Sequence, residues 1–367
     1  MKIVLLNWMD IKNPKMGGGE IYSWELCKRL VRDGNSVMFL TSGYRSAKKE
    51  EEIDGVHIYR SGNILTLFIR GFFWVGQHQR EYDLIIEVIN GQPFMLPLKL
   101  KKLKHTVVIF HLPSFGATCK KLLVIGPLQF ILSRVILRYL YNKRNVLTDG
   151  ENTCRELKRM HFKSVQVAED GLNYEVTAEL NIMEKEKSVV ILGPLKPWKR
   201  IDHGIRAFSY LPSEWKLNIL GGGSNHFLKK LRKIADEMGI LDRVNFHGYV
   251  DENTKRAIIS KSKINIITSE KEGFSLTALE CQLYGSVTVA YNFPGVEGST
   301  VPGITSIIAK NGDLNALGGA LAALSGDDMK LTTMSKSALE FAKNFTWDLT
   351  YNKIMMALKL NFLKNNS

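Results

Sequence analysis

The chain has 367 residues, which suggests two or three domains, and a formal net charge of +14. Apolar residues make up 45% and charged residues 23%, as in average globular proteins, so a largely disordered chain is excluded. The four cysteines lie far apart without a CxxC pair, which disfavours a disulfide scaffold or a zinc site and is typical of a reducing cytoplasm.

Neither a membrane-spanning helix nor a signal peptide is expected. The chain contains no run of 18 apolar residues, and its apolar start turns polar at Asn7. The chain also lacks the GxSxG, HExxH and P-loop motifs, which argues against serine hydrolases, zincins and P-loop NTPases.

The first half of the chain reads as alternating strands and helices. A strand Lys2–Leu6 precedes the turn Gly17-Gly18-Gly19, and a helix is predicted from about Glu20 to Arg32. Further strands are predicted at residues 37–41, 56–60, 84–88, 106–111 and 145–148. This alternation predicts a parallel sheet with helices on both faces.

The same pattern restarts at a strand over residues 188–192, after a charged stretch (175–187) that suits a linker. Predicted helices at about 202–209, 227–238, 252–260 and 275–284 alternate with strands at 216–220, 243–246, 264–268 and 287–290. We therefore predict an α/β protein of two doubly wound halves. Ligands in such sheets bind beyond the carboxyl ends of the strands, so one cleft between the halves is expected.

Most of the excess positive charge lies in the segment Val88–Thr148, which has ten Lys and Arg residues and no Asp or Glu. Its apolar stretch Leu122–Tyr141 reads as a helix from Leu128, with Arg134 and Arg138 one turn apart. Three interpretations remain open: a buried helix whose arginines meet carboxylates, a helix on an anionic membrane surface, or nucleic-acid binding. No nucleic-acid-binding signature accompanies the charge, and the membrane surface is favoured.

The most informative motif is the run from Ser269 to Glu280. Glu272 follows a predicted strand, and the next residues open a helix whose free amides suit a phosphate group. Glu280 lies inside that helix, where its carboxylate is able to accept hydrogen bonds from a ribose diol. Solvated surface glutamates are the alternative interpretation.

Three further features are candidate site residues. Lys199 follows the strand at 188–192 and is placed to stabilise a departing diphosphate, unless its loop is merely solvated. Gly18 and Gly19 leave room for a phosphate or sugar near backbone amides, although a tight turn explains them equally well. His111 ends a predicted strand and is expected to point into the cleft.

Together these residues resemble the glycogen-synthase-like group of retaining, nucleotide-sugar-dependent glycosyltransferases with the GT-B fold. The resemblance covers nearly the whole chain in the right order. Its most specific part is the pair Glu272 and Glu280, separated by seven residues. The resemblance implies two Rossmann-like domains facing a cleft: residues 1–175 on the acceptor side, with a crossover helix at about 346–367, and residues 176–345 binding the nucleotide sugar.

The resemblance also implies a role for each matching position. Glu280 would hold the ribose, Lys199 the diphosphate, and Glu272 the donor sugar. Backbone amides of Phe274 and Ser275 would contact the donor sugar, those of Leu276 and Thr277 the phosphate, and the Val250 backbone the base. His111 would lie in the cleft near the donor sugar, and Gly18 and Gly19 near the phosphate and the acceptor. It implies transfer with retained anomeric configuration, assisted by the departing diphosphate, with no metal and no other cofactor.

The chain departs from the family at Pro194, where an arginine that contacts the diphosphate is usual. Lys196 or Arg200 are the candidates to replace its charge. Asp149 and Asp170 stand where Ser and Asn are common in the family. Neither of these two changes lies in the inferred donor site.

The predicted function is transfer of a hexose from a UDP-, GDP- or dTDP-linked sugar to a hydroxyl group of a glycan or glycolipid, which the basic segment suggests is lipid-linked. The predicted location is the cytoplasm, at the inner face of the cell membrane. The alternatives are a cytosolic enzyme with a soluble anionic acceptor, and a nucleotide-sugar-binding protein with impaired catalysis. The sequence leaves the donor base, the sugar and the acceptor open.

Overall fold

The computed structural model describes residues 1–100, 104–112, 126–173 and 184–363. The chain divides into two compact units. Unit 1 comprises Met1–Gly171 and Trp347–Ser367, and unit 2 comprises Leu172–Thr346. The linker predicted at 175–187 lies mostly outside the described residues, as do Lys101, Lys102, Lys120 and Lys121 of the basic segment.

Unit 1 is built on an eight-stranded sheet. Its strands are β1 (Lys2–Leu6), β2 (Ser36–Thr41), β3 (Glu50–Ile53), β4 (Val56–Arg60), β5 (Leu84–Ile89), β6 (His105–Ile109), β7 (Asn145–Thr148) and β8 (Ser164–Val167). Their order is β3-β4-β2-β1-β5-β6-β7-β8, and all neighbouring pairs are parallel except β3 with β4. The sheet order therefore reverses between β1 and β5, the place where such folds bind ligands.

The antiparallel strand β3 was absent from the sequence prediction. Asp54 and Gly55 both have positive φ angles, 51° and 75°, which is the backbone of a two-residue hairpin turn. The hairpin adds β3 as an edge strand, and its charged Glu-Glu-Glu start suits an edge.

Helices cover both faces of the unit 1 sheet. They are α1 (Gly18–Arg32), α2 (Leu67–His78), α3 (Gly126–Ile136), which continues as a π-helix (Leu137–Tyr141), α4 (Glu151–Arg159) and, from the chain end, Trp347–Leu363. Alternate residues of each strand point to opposite faces, so Ile3 and Leu5 pack with α1 while Val4 and Leu6 pack with α2. Helix α2 was also missed in the sequence, because two glycines interrupt its apolar pattern and no side chain caps its start.

Unit 2 has a six-stranded, wholly parallel sheet. Its strands are β9 (Glu186–Leu192), β10 (Lys216–Leu220), β11 (Val244–Gly248), β12 (Ser262–Ile267), β13 (Val287–Tyr291) and β14 (Ser306–Ala309), in the order β11-β10-β9-β12-β13-β14. Its order reverses between β9 and β12. This arrangement, with that of unit 1, confirms the predicted pair of doubly wound sheets.

The helices of unit 2 are α5 (Ile201–Phe208), α6 (Asn225–Glu237), α7 (Glu252–Lys261), α8 (Leu276–Leu283), α9 (Leu314–Ser325) and α10 (Asp328–Ala342). They enclose a continuous apolar core around β9 and β12. The last helix of the chain, α11 (Trp347–Leu363), belongs to unit 1, where Trp347 and Tyr351 are buried with Tyr22 and Trp24 of α1.

Candidate functional site

The loops that follow β9 and β12 lie side by side, because these two strands pair in parallel where the sheet order reverses. Carboxyl ends of strands at such a point form the ligand-binding crevice of doubly wound sheets. Lys199 lies on the first loop and Glu272 on the second. The fold therefore brings together two predicted site residues that are 73 positions apart in sequence.

Backbone and side-chain hydrogen bonds join these two loops. The Glu270 amide donates to the Trp198 carbonyl at 2.9 Å. The Arg200 guanidinium donates to the carbonyls of Thr268 and Ser269 at 2.7 and 2.9 Å. These three hydrogen bonds join the loop after β9 to the loop after β12.

Lys199 and Glu272 form an ion pair in this frame. Lys199 Nζ lies 2.5 Å from Glu272 Oε1, and their side chains are only 16% and 12% exposed. The Ser269 hydroxyl donates to the same carboxylate oxygen at 2.5 Å. Both bonds go to Oε1, so Oε2 is able to accept a hydrogen bond from a further donor.

The loop after β13 contacts the backbone of Glu272. Its amide donates to the Pro294 carbonyl at 3.0 Å. A Cβ atom on Gly295 would lie 2.5 Å from the Glu272 carbonyl oxygen, and Gly295 has a φ of +102°. Only glycine combines that backbone conformation with so close an approach.

Helix α8 begins at Leu276, four residues after Glu272, and its first amides are those of Leu276 and Thr277. Such amides have no partner within their own helix. The Phe274 side chain is buried, with its ring 5.9 Å from that of Phe345, and anchors the helix start. The Ser275 amide differs from the sequence expectation, because it already donates to the Gly295 carbonyl at 3.1 Å and is not open to a ligand.

Glu280 lies one turn into α8 and is half-buried. Its Oε1 accepts from Lys255 Nζ of α7 at 2.9 Å, and Lys255 also contacts Glu252. Burial lowers the pKa of Lys255, but the two carboxylates outweigh it and leave that pKa raised. Glu280 is thus held by a charged partner that the sequence analysis did not identify.

The two candidates to supply positive charge near Pro194 have different surroundings. The Arg200 guanidinium is engaged by backbone carbonyls and by the Asn311 side chain at 2.7 Å. Lys196 lies exposed on the same loop. Of the two cations, Lys196 is therefore the one available to an anion.

Val250 follows β11, whose carboxyl end lies at the same edge of the sheet. The Gly221 amide donates to the Gly248 carbonyl at 2.8 Å, and so ties the loop after β10 to the end of β11. The Val250 side chain packs against a buried cluster of unit 2 that includes Val190 of β9 and Leu220 of β10.

In unit 1, Gly18 and Gly19 form the first residues of α1 at the reversal point of the sheet. Glu20 is buried beside them and accepts hydrogen bonds from the Gly17 amide at 2.7 Å, the Trp8 indole at 2.6 Å and the Asn90 amide at 3.1 Å. Burial raises the pKa of Glu20 despite these bonds. Glu20 and Asn90 therefore shape the glycine turn, a role that only the folded contacts reveal.

His111 does not end a strand as expected, because β6 stops at Ile109. It lies two residues further on, exposed, in the loop after the strand. The carboxyl ends of β7 and β8 carry two buried acids, Asp149 and Asp170. Burial raises the pKa of Asp170 to about 7, and the Glu169 charge adds to the rise.

Two features are absent from the described part of the chain. No group of three or more His, Cys, Asp or Glu side chains there is arranged to hold a metal ion. Among the same residues, no helix is both long and apolar enough to span a membrane.

Comparison with known proteins shows which families and folds the chain is similar to. Residues 175–341, nearly all of unit 2, match the family described as Glycosyl transferases group 1. An uncharacterized glycosyltransferase of Methanocaldococcus jannaschii is 23% identical over 322 residues, which are 81% of this chain and 82% of that protein. The chain spans about half or less of the length of the further curated relatives it matches.

Solved structures share the fold over the whole chain. Sucrose-phosphate synthase of Thermosynechococcus elongatus has a TM-score of 0.82 at 19% identity and covers 99% of both chains. Anabaena HepE, solved in complex with UDP and glucose, has a TM-score of 0.76 at 16% identity, with 98% and 99% covered.

The two sheets thus define a protein with the GT-B fold, as the sequence resemblance predicted. Unit 2 is also similar in sequence to the glycosyltransferases of group 1.

Proposed function

We propose that this protein is a glycosyltransferase of group 1. It moves a hexose from a nucleoside-diphosphate sugar to a hydroxyl group of a lipid-linked glycan or glycolipid, with retention of the anomeric configuration. The observation that carries the proposal is the Lys199–Glu272 pair beside the start of α8. It joins a cation, a carboxylate and a helix N-terminus at the ligand-binding edge of the unit 2 sheet.

Each part of a nucleotide sugar has a matching group at this edge. The Lys199 ammonium and the amides of Leu276 and Thr277 suit the diphosphate. Glu272 Oε2 is able to accept from a sugar hydroxyl, and the second oxygen of Glu280 from a ribose hydroxyl. Lys196 is proposed to supply the charge that the chain lacks at Pro194.

The proposed reaction breaks the bond between the anomeric carbon and the diphosphate oxygen, and forms a bond from that carbon to the acceptor oxygen. The acceptor proton passes to the departing diphosphate. Lys199 and the helix amides stabilise the negative charge that develops on the leaving group. These groups supply the positive charge themselves, so the proposal includes neither a metal nor another cofactor.

A uridine nucleotide is the first donor to test. The fold is similar to that of Anabaena HepE, which was solved with UDP and glucose. In unit 1, we propose that Gly18, Gly19 and His111 contribute to the acceptor side. We propose a lipid-linked acceptor because the basic segment 88–148 lies within unit 1. Such an acceptor implies that the enzyme acts at the cytoplasmic face of a membrane.

The experiment compares nucleoside diphosphate release by Lys199→Ala and Glu272→Gln with that of the wild type. A matched control is the exposed pair Lys187 and Glu214, whose charged atoms lie 3.2 Å apart in the same unit. Each site variant is expected to lose about 100-fold in turnover, because Lys199 stabilises the charge on the leaving group and Glu272 orients the donor sugar. Lys187→Ala and Glu214→Gln are expected to stay within about twofold of the wild type.

Two results contradict the proposal. Site variants that turn over like the wild type would remove the pair from the reaction. A wild type that binds nucleotide sugars but never releases the diphosphate would favour a binding protein with impaired catalysis. NMR of the product tests retention, since the anomeric coupling constant distinguishes the two configurations.

A further inference from the structure

Half of the large apolar side chains that are exposed in the described part of the chain lie on one helical layer of unit 1 or on the turn that leads into its helix α2. They are Ile64, Leu65, Ile69, Phe73, Leu98, Ile131, Leu132, Val135 and Tyr139. Single exposed apolar residues are ordinary, but a concentration on one layer indicates a surface that contacts something apolar.

The elements that carry these side chains cover the same face of the sheet. Helix α2 buries Leu67 and Val75 against Ile85 of β5, and the π-helix after α3 buries Leu137 and Tyr141 against Ile89 of the same strand. Residues four apart on a strand share a face. The short 3-10 helix Leu96–Leu98 lies between them, contributing Leu96 to the first cluster and Leu98 to the surface.

The exposed residues are also arranged on the outward side of each helix. On α3 and its π-helical continuation, Ile131, Val135 and Tyr139 are spaced four apart, so they lie on one face. On α2, Ile69 and Phe73 have the same spacing, and their side chains are 65% and 58% exposed. Both helices therefore present an apolar stripe away from the core.

The charges on this layer are of one sign. The sequences 67–78, 96–98 and 126–141 contain no Asp or Glu. Arg70, Lys99, Arg138 and Lys143 are exposed on or beside these elements. Arg134 does not count among these exposed cations, because its guanidinium lies 3.8 Å from Glu156, as the buried-helix interpretation of the sequence required.

We propose that this layer, formed by α2, the 3-10 helix and α3 with its π-helical continuation, docks on the surface of an anionic lipid bilayer. The apolar stripes enter the boundary between headgroups and acyl chains, and the exposed cations contact acidic headgroups. A protein partner would need carboxylates to match the same cations, whereas a bilayer supplies apolar depth and negative charge together. This inference extends the proposed function, and it rests on that function because membrane docking would bring the enzyme to a lipid-linked acceptor.

The test is co-sedimentation of the full chain with vesicles of phosphatidylglycerol and phosphatidylcholine, against vesicles of phosphatidylcholine alone. Three double variants are compared: Ile69→Ser with Phe73→Ser on α2, Leu132→Ser with Val135→Ser on α3, and the control Ile304→Ser with Met329→Ser on unit 2. All six side chains are exposed, so thermal unfolding is expected to stay unchanged.

The wild type and the unit 2 control are expected to bind the anionic vesicles equally, and binding is expected to weaken as salt is raised. Each of the other two double variants is expected to bind about tenfold more weakly. Equal binding of the wild type to neutral vesicles would contradict the role of the exposed cations. Loss of vesicle binding in the α3 variant alone would contradict a surface formed by both helices. If the wild type does not bind vesicles but forms dimers in analytical ultracentrifugation, the proposal is wrong and the layer contacts a second copy of the chain.

Donor hydrolysis by the same variants separates this inference from the proposed function. The substituted residues lie outside the donor site, so hydrolysis of the nucleotide sugar is expected to equal that of the wild type. Loss of vesicle binding with hydrolysis intact supports the inference. Failure of the proposed function is shown independently by the Lys199 and Glu272 variants.

Discussion

At the residue scale, the site depends on charges whose partners are far away in sequence. Lys199 and Glu272 are each mostly shielded from solvent, so loss of one leaves the other charge unpaired in a poorly hydrated place. Two separate sequence motifs located these residues. The second motif includes Ser269, but it does not reveal that the Ser269 hydroxyl donates to Glu272. Glu20 and Asn90 were likewise missed, since no local pattern reveals a bond across 70 positions.

The buried acids Asp149 and Asp170 make unit 1 sensitive to pH. The pKa of Asp170 is raised by burial to about 7, whereas an aspartate in an unfolded chain has a pKa of about 3.9. Between these values the native state keeps a proton that the unfolded state has released. The free energy of unfolding therefore falls as pH rises from about 4 to about 7, and stays reduced above.

Asp170→Asn removes this cost, because asparagine has no charge to bury. We expect the variant to be more stable than the wild type by about 2 kcal/mol at pH 8, with the difference vanishing near pH 4. Thermal unfolding across this pH range measures it, with the exposed Asp242→Asn as control. A gain that does not depend on pH would contradict the assignment.

At the scale of the element, sequence patterns identified most strands well. Strands β1, β4, β7 and β10 have the predicted bounds, because short apolar runs between turn residues are distinctive. The apolar helix α2 was missed because its glycines and its apolar exposed face together remove the amphipathic pattern of a helix. The end of the predicted helix in the basic segment forms a π-helix, where Tyr141 donates to the buried Glu87, a contact between distant segments.

The loop after β13 is expected to position Glu272. In Gly295→Ala, the new methyl group would overlap the Glu272 carbonyl, and the backbone would be strained at a φ of +102°. We expect turnover to fall at least about tenfold through displacement of Glu272. Kinetic measurement of donor hydrolysis is the readout.

Gly303→Ala is the matched control for that prediction. Gly303 also has a positive φ, +80°, but no atom lies within 4 Å of an added Cβ. It is expected to lose about 1 kcal/mol of stability and little turnover. Equal losses of turnover in both variants would show that strain, and not contact with Glu272, is responsible.

At the scale of the whole molecule, the chain leaves unit 1 and returns to it. Helix α11 adds Ile354 and Leu358 to the core that α1 forms with the unit 1 sheet. The sequence predicted a closing helix on the first domain only through its family resemblance. Nothing in the local pattern of residues 347–363 specifies which sheet they cover.

Ile354→Ala is expected to destabilise unit 1 by about 2–5 kcal/mol, since it leaves a cavity in that core. Hydrogen exchange resolved by peptide measures the effect on each unit. Exchange is expected to quicken in β1, β5 and α1, with the strands of unit 2 unchanged. Met356→Ala serves as control, because the Met356 side chain lies on the same helix and is 65% exposed. Equally faster exchange in both units in Ile354→Ala would contradict the division of the chain into two units.

The most direct test of the account is a thermal-shift screen of the wild type and Lys199→Ala with UDP-, GDP- and dTDP-linked sugars. Binding to the native state raises stability by about 2.7 kcal/mol at 100 times the dissociation constant, a shift of several degrees. We predict that one nucleotide class stabilises the wild type and that Lys199→Ala, with an unchanged unliganded transition, loses most of this shift. Failure of all three classes to stabilise the wild type, or an equal shift in the variant, would contradict the assignment of the donor site.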